Sequence, residues 1–258
     1  MKLYLRYLSM HLRTAMEYKA SFWSGTLGQF LVSFSAYLTV RFLMDRFGAV
    51  EGFTYAEVLL CFGAVLMAFA LAECFARGFD TFSRLIGNGQ FDRMMVRPRS
   101  LIFQVLATKV EFTRLGRFLQ AALVVAWAVA RAPVAWTPAR ALVLAEMILC
   151  GAALFGALFL CYAGLCFFTT EGLEVVNILT DGSREFGAYP LLVYGKTALR
   201  FYTYLVPLAC VQYYPLLWLL GRDVPAWYAL LPLGGAAFLL PAYGLWRLGL
   251  RHYKSTGS

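Results

Sequence analysis

Long apolar stretches, separated by shorter polar segments, make up most of the chain. A helix rises 1.5 Å per residue, so about 20 apolar residues cross the roughly 30 Å of hydrocarbon in a bilayer. The pattern predicts six spans, at about residues 22–43, 55–76, 118–130, 141–168, 197–220 and 227–246, with the third helix starting outside the bilayer near residue 101. We therefore expect an all-α polytopic membrane protein, with residues 1–258 forming a single transmembrane domain.

The region between the fourth and the last span allows two arrangements. Residues 169–187 combine apolar positions with several charges, which favours an interfacial helix at the cytoplasmic face. The fifth span is then residues 197–220, kinked by Pro207 and Pro215. Alternatively, residues 171–193 form the fifth span and residues 197–220 fold into a re-entrant pair on the outer side, where protein must shield their irregular backbone.

The composition excludes a soluble domain. The chain is 61% hydrophobic and 14% charged, whereas a soluble domain has about 45–50% apolar and about 25% charged residues. The net charge of +9 is then best explained by loops facing anionic lipids, since no soluble basic domain exists to bind nucleic acid. The six cysteines lie in or beside apolar stretches without a CxxC motif, and there are two histidines, so no metal site is expected.

The distribution of cations predicts the orientation. If both ends of the chain lie in the cytoplasm, 18 of the 23 lysines and arginines fall on the inner side. The alternative fifth span lowers that number to 16, which leaves the orientation unchanged. Cytoplasmic loops carry an excess of lysine and arginine, so the pattern predicts N-in and C-in.

Residues 2–19 have the pattern of an amphipathic helix in the cytoplasmic interface. Arg6, His11 and Arg13 interrupt what would be the apolar core of a signal peptide. The apolar residues can share the opposite helix face, which is typical of a helix lying in the membrane plane.

The first predicted span carries small or polar residues at every fourth position, on one helix face. These residues are Ser21, Gly25, Gln29, Ser33 and Tyr37. Such a stripe allows close helix packing, with buried amides and hydroxyls bonding across the contact. A translocation or dimer face is the functional alternative.

The polar segment between the second and third spans, residues 77–100, has the features of a docking element. It carries five arginines against two aspartates. Asp80 can cap a helix over residues 81–86, and glycines at 87 and 89 stop it. A second turn over residues 91–96 ends at Pro98. We expect a short protein-docking helix under the bilayer, with Glu73 and Arg77 forming an ion pair just before it.

No catalytic constellation is present. The sequence contains no GxSxG, HExxH or GxxxxGK[ST] motif, so no enzyme activity, catalytic residue, bound metal or cofactor is expected in this chain. The acids within the apolar segments, Glu57, Glu73 and Glu146, all lie toward helix ends. A secondary transporter usually keeps an ionisable or unwound site near the midplane, so their placement argues against one.

The polar segment resembles permease subunits of the bacterial type-2 ABC exporter (ABC-2) family. The resemblance rests on Gly89, Phe91, Asp92, Arg97 and Pro98, which follow the second span as in that family, together with Met95 and Gln104. The later pairs Tyr189-Pro190, Val206-Pro207 and Tyr214-Pro215 are similar to one bacterial branch of it.

The resemblance implies a membrane subunit of an exporter in the bacterial inner membrane. It would pair with a second copy or a sister permease, in contact with membrane lipids, and sit on separate cytoplasmic ABC ATPase subunits that bind ATP and magnesium. Residues 2–19 would be the family's elbow helix and residues 77–100 its coupling loop. The expected ATPase-coupling residues are Asp80, Phe82, Arg84, Ile86, Phe91 and Arg93. The alternative function is an ATPase-independent secondary transporter or membrane-assembly protein.

Overall fold

The computed structural model describes residues 2–47, 50–169 and 174–253, and these residues form helices and no strand. The α-helices in chain order are α1 (Lys2–Glu17), α2 (Lys19–Phe47), α3 (Tyr55–Asp80), α4 (Phe82–Gly87), α5 (Gln90–Met95), α6 (Leu101–Leu106), α7 (Leu115–Arg131), α8 (Pro138–Leu165), α9 (Glu174–Phe186), α10 (Gly195–Tyr204), α11 (Leu208–Val211), α12 (Tyr213–Leu219), α13 (Leu231–Ala236) and α14 (Leu239–His252). Short 3-10 helices cover Phe112–Arg114, Leu191–Tyr194 and Ala226–Leu230. The all-helical fold class is confirmed.

Within the described residues, five helical segments are long and apolar enough to cross a membrane. They are Lys19–Arg46, Tyr55–Gly87, Phe112–Arg131, Pro138–Leu165 and Ala226–His252. Each overlaps one of the six predicted spans, so the chain is a multi-pass membrane protein. The remaining predicted span, residues 197–220, is treated below.

Helix α3 forms the centre of the bundle and is buried along most of its length by α7 and α8. The ring of Phe69 packs at 5.0 Å from that of Phe155, between centroids, and at 6.3 Å from that of Phe159. Helix α14 packs on α8, while α2 contacts the bundle mainly through α7 and leaves most of its surface exposed. The decrease in burial from α3 to α2 places the core of the bundle on α3 and a lipid-accessible surface on α2.

Residues 197–220 do not form one helix, in contrast to the first arrangement considered. They divide into α10, α11 and α12, with breaks around Pro207, the N-cap of α11, and at Gln212. Proline lacks a backbone N–H, so it cannot continue a helix without losing a hydrogen bond. The mean apolar character of the stretch therefore overstated its ability to span the membrane as one helix.

Helix α9 lies beside α3 and not apart from the bundle. In the middle of the helix, Asp181 lines the same cavity as Asp80, while beyond the C-terminal end the carbonyl of Gly187 accepts a hydrogen bond from the Cys61 thiol at 3.5 Å. The short helices that follow end near the start of α3, where Arg222 donates to the carbonyl of Gly52 at 2.8 Å. Helix α9 is not among the five apolar helices long enough to span a membrane, and residues 170–173 lie outside the described residues, so the choice between the two arrangements of the fifth span stays a prediction.

The third long helix begins later than predicted. Helix α6 ends at Leu106, and the chain then turns before α7, with the Glu111 N–H donating to the carbonyl of Cys74 at 3.1 Å. At Gly78 a Cβ would lie 2.0 Å from the carbonyl oxygen of Val105, so α6 crosses α3 at a point where only glycine fits. This close crossing prevents residues 101–131 from forming one straight helix.

Helix α1 is separate from α2, as the prediction for residues 2–19 requires. The rings of Tyr4 and Tyr7 both pack edge-on to Phe103 of α6, and His11 Nε2 lies 2.9 Å from the carbonyl oxygen of Ala107. Leu5 and Leu12 remain exposed. An amphipathic helix held against α6 with free leucines is suited to lie in a membrane interface.

Candidate functional site

The segment between α3 and α6 folds into the two short helices α4 and α5. Gly89, at φ +63°, separates them, which fits the predicted stop because this backbone conformation favours glycine. The sequence suggested that Asp80 caps α4, but the N-cap residue of this helix is Thr81. Asp80 is the last residue of α3, and its carboxylate lies 2.6 Å from Arg77 Nη1.

Phe82 and Phe91 lie in an aromatic cluster, which we define as Phe79, Phe82, Phe91, Phe167, Trp246 and Tyr253. The Phe82 ring centroid is 5.1 Å from that of Phe91, 5.2 Å from Phe167 and 5.0 Å from Trp246. Both phenylalanines have no solvent exposure, and Ile86 is also buried. In this structure these three predicted coupling residues pack inside the chain and not on its surface, and their contact with an ATPase stays a prediction. They attach α4 and α5 to the ends of α8 and α14.

Asp92 ties the same segment to the residue that follows α14. The Tyr253 hydroxyl donates to Asp92 Oδ1 at 2.8 Å, and its ring packs on Phe91 with centroids 5.1 Å apart. Burial, together with this hydrogen bond and the nearby carboxylate, raises the pKa of Tyr253 to about 12. The hydroxyl thus stays protonated and able to donate at any physiological pH.

Gln104 closes the polar turn that follows α5. Its Nε2 donates to the carbonyl oxygens of Met94 and Arg99, both at 3.0 Å. Several positions of the family-like motif thus have a structural explanation, since Gly89 permits the turn, Asp92 anchors it and Gln104 closes it. Arg97 and Pro98 remain exposed.

The exposed residues of this segment are mostly basic or uncharged, and we call them together the loop surface. It consists of Arg84, Gly87, Asn88, Gln90, Arg93, Met95, Val96, Arg97, Pro98 and Arg99. Four of these residues are arginines and none is acidic, while Val96 is 84% exposed. Of the six predicted coupling residues, only Arg84 and Arg93 lie on it. An apolar side chain surrounded by cations suits an acidic partner surface with an apolar recess.

A buried polar network joins α2, α3 and α7 beside the loop. Glu73 Oε2 lies 2.5 Å from Arg117 Nη1, while Glu73 Oε1 lies 3.4 Å from both Arg77 and Arg114. Gln29 Oε1 accepts hydrogen bonds from Arg114 and Arg117, each at 3.0 Å. The predicted pair of Glu73 with Arg77 is present, but the closest partner of Glu73 is Arg117, which is 44 residues away along the chain. Local sequence spacing gave no signal for that contact.

Glu111 extends the network toward the surface. Its carboxylate lies 2.7 Å from Lys109 Nζ and 2.9 Å from Arg114 Nε. Burial alone would raise the pKa of Glu111, but the hydrogen bonds and charges of these cations outweigh it and lower the pKa. Glu111 is therefore ionised at neutral pH.

Four of the five residues of the predicted stripe on α2 face their own chain, and Ser21 does not. Gly25 packs near the Thr113 side chain, Gln29 joins the polar network, and the Tyr37 hydroxyl accepts a hydrogen bond from Tyr55 at 3.1 Å. Ser33 is buried, and Ser21 is exposed. The stripe thus serves helix packing, while its proposed role as a translocation or dimer face has no support from these contacts.

Two cavities adjoin α9. The first has an empty volume of about 720 Å³ and is lined by Phe69, Arg77, Asp80, Thr81, Ser83, Arg84, Phe159, Tyr162, Asn177, Thr180 and Asp181. The second, of about 460 Å³, is lined by Val32, Ser33, Ala36, Phe62, Leu66, Arg117, Arg184, Glu185 and Ala188. Across the described residues, no three histidine, cysteine or carboxylate side chains come together as a metal site would require.

The comparisons with known proteins give a family. A family model described as "ABC-2 family transporter protein" matches residues 30–257, which include the loop surface, the aromatic cluster and all of the polar network except Gln29. No curated protein and no solved structure matches the chain. The match covers well over half of the chain and agrees with the five apolar helices. This chain therefore belongs to the ABC-2 transporter family, whose members are the membrane components of ABC transporters.

Proposed function

We propose that the chain is the membrane-spanning subunit of an ATP-driven exporter in the bacterial inner membrane. Two such subunits, identical or a pair of sister permeases, would sit on separate cytoplasmic ABC ATPase subunits. ATP and magnesium would bind to those ATPases, since this chain has no phosphate-binding loop. The observation that carries the proposal is the loop surface, a basic and partly apolar surface on a segment fixed to several helix ends.

The charge of the loop surface supports docking to an acidic ATPase cleft. Arg84 and Arg93 are exposed on α4 and α5, and Val96 projects beside them. Charges of opposite sign speed up encounter and set the orientation of a complex, while a central apolar side chain supplies contact area. Arg97 and Arg99 extend the basic surface, which also suits proximity to anionic lipids.

The buried contacts behind the loop surface provide a mechanical connection. Phe82 and Phe91 pack on Trp246 of α14 and on Phe167 beyond α8, so a displacement of the loop must move those helix ends. Packed interiors have few voids and transmit such displacements instead of absorbing them. Closure of the ATPases would thus move α8 and α14 through the aromatic cluster. It would move α3 through the direct connection at Thr81.

The polar network passes the same motion to the first and third long helices. Glu73 of α3 contacts Arg117 of α7, which shares Gln29 of α2 with Arg114. The inner ends of α2, α3 and α7 are therefore held as one unit. A path along the seam between two subunits would open or close as these units tilt.

Co-purification with an ABC ATPase subunit encoded beside this chain tests the docking assignment. Arg84→Glu combined with Arg93→Glu reverses two charges on the loop surface and should abolish co-purification at moderate salt. Arg251→Glu, at an exposed position on the last turn of α14, is the matched control and should leave it unchanged. Equal recovery of the ATPase with the wild-type protein, the Arg84→Glu/Arg93→Glu variant and the Arg251→Glu variant would overturn the docking assignment.

Transport itself tests the wider proposal. Export of a cargo from proteoliposomes should stop when the catalytic lysine of the ATPase phosphate loop is replaced. Continued transport without a functional ATPase would favour the alternative of an ATPase-independent carrier.

A further inference from the structure

A groove between α2 and α7 has the properties of a ligand site. It has an empty volume of about 500 Å³ and is lined by Phe30, Phe34, Tyr37, Leu59, Gln120, Leu123, Val124 and Trp127. Four of the eight lining residues are aromatic, and none is charged. Both helices belong to membrane-spanning segments, so the groove lies at the depth of the hydrocarbon.

Gln120 is buried in the wall of this groove without a hydrogen-bond partner. The residue is 2% exposed, and neither its Oε1 nor its Nε2 has a partner among the described residues. The other glutamines buried or half-buried in the described residues each have one side-chain atom engaged, although Oε1 of Gln104 and Oε1 of Gln212 also lack a partner. Gln29 Oε1 accepts from two arginines, Gln104 Nε2 donates to two carbonyls, and Gln212 Nε2 donates to the carbonyl of Tyr189 at 2.6 Å. An amide left unpaired in a membrane interior costs free energy, so Gln120 calls for an occupant that bonds it.

Neither lipid tails nor water supply that partner well. Acyl chains carry no hydrogen-bonding group at this depth. A bound water needs two to four polar partners. The other polar groups of the groove are the Tyr37 hydroxyl, which already accepts from Tyr55, and the indole N–H of Trp127, a residue on its exposed edge. The missing group is therefore best supplied by a molecule that is mostly apolar and carries its own donor or acceptor.

We propose that this groove binds an uncharged, largely aromatic or apolar molecule with one carbonyl, amide or hydroxyl group, which enters from the bilayer. Phe34 and Trp127, each more than 40% exposed, form the accessible edges against which its rings pack. Gln120 bonds its polar group, because the last torsion of a glutamine side chain is broad and lets the amide turn toward the groove. An ion is disfavoured, since no lining residue supplies an opposite charge. The proposal holds whether or not an ATPase drives this chain.

Photolabelling with benzophenone tests the site in the full-length protein reconstituted in lipid nanodiscs. Benzophenone is neutral, has two aromatic rings and one carbonyl acceptor, and inserts into nearby C–H bonds on irradiation. We expect labels on peptides of α2 and α7 that contain Phe34 and Leu123, well above the labelling of the lipid-facing surface of α8. The analogue 4-benzoylbenzoate has the same rings and carbonyl with an added negative charge, and it should not enrich the groove peptides relative to α8.

The substitution Gln120→Leu separates amide recognition from simple partition into an apolar groove. It should lower groove labelling about tenfold relative to α8, whereas Leu119→Ala, on the exposed side of the same helix, should leave labelling unchanged. Gln120→Leu should also match or exceed the wild type in thermal stability without ligand, because it removes an unpaired buried amide.

Three results would overturn the proposal. Undiminished groove labelling of the Gln120→Leu protein would show that the amide recognises nothing and that benzophenone enters the groove by apolar partition alone. Unfolding of this variant would show that Gln120 has a partner within the protein. Absent labelling, together with a disulfide between two copies that carry Leu123→Cys, would assign the groove to a second copy of the chain.

Discussion

The buried position of Phe82 gives the sharpest test of how the loop is built. Replacement by alanine removes a ring that has no exposure and three ring neighbours with centroids 5.0–5.2 Å away. Substitutions of a buried phenylalanine by alanine cost about 3–5 kcal/mol, through lost burial and a residual cavity. Loss of edge-to-face ring contacts is part of this cost. We therefore expect Phe82→Ala to lower the free energy of unfolding by about 3–5 kcal/mol.

The contrasting substitution is Arg84→Ala, two residues further along the same short helix. Its side chain is exposed, and substitutions at such positions usually change stability by less than about 0.5 kcal/mol. Equilibrium unfolding of the purified proteins in mixed micelles measures both values, and co-purification with the ATPase is scored in parallel. Phe82→Ala should lose stability first, while Arg84→Ala should lose partner binding alone. A Phe82→Ala protein of normal stability that fails to bind the ATPase would refute the buried aromatic cluster and restore Phe82 to the docking face.

Three further predictions use the same unfolding assay. Glu73→Gln should cost about 3–5 kcal/mol, since it leaves the buried Arg117 without its carboxylate, whereas Arg41→Gln, at an exposed pair, should have no measurable effect. Tyr253→Phe should cost about 0.5–1.5 kcal/mol through the lost bond to Asp92, and an unchanged value would contradict that bond. The lowered pKa of Glu111 means that its contribution is present above its ordinary value of 4.5 and is lost as the pH falls below it. A Glu111→Gln protein should therefore show a flatter decline of stability in acid.

The positions of helices and turns could be predicted where the residues of the segment itself determine them. Long apolar runs gave the positions of α2, α3, α8 and the last crossing, and Gly89 marked the boundary between α4 and α5 because few other residues adopt its backbone conformation. Residues 197–220 were predicted as one span kinked at Pro207 and Pro215, but the chain divides there into three short helices, with breaks around Pro207 and at Gln212. The short α11 and α12 follow from these breaks.

The position of the polar segment between the second and third spans could be predicted, but the direction in which its apolar side chains face could not. The apolar side chains of Phe82 and Ile86 recur at helical spacing, and this pattern is the same whether they face a partner protein or the end of their own bundle. The packing of Phe82 on Phe167 and Trp246 shows that it faces its own bundle, and these two residues are far away in the sequence. The pairing of Glu73 with Arg117 was missed for the same reason.

The dependence of the loop on α14 has a consequence during biosynthesis. Phe82 and Phe91 leave the ribosome long before Trp246 and Tyr253, which complete their packing. Until α14 has been made, these rings remain uncovered at the membrane surface, as apolar groups of an incompletely folded chain. A nascent or truncated polypeptide lacking α14 would therefore expose an apolar surface that chaperones and proteases can bind, while in the finished protein this surface is buried. If the chain docks on an ATPase as proposed, the same few rings link completion of synthesis to the formation of the docking segment.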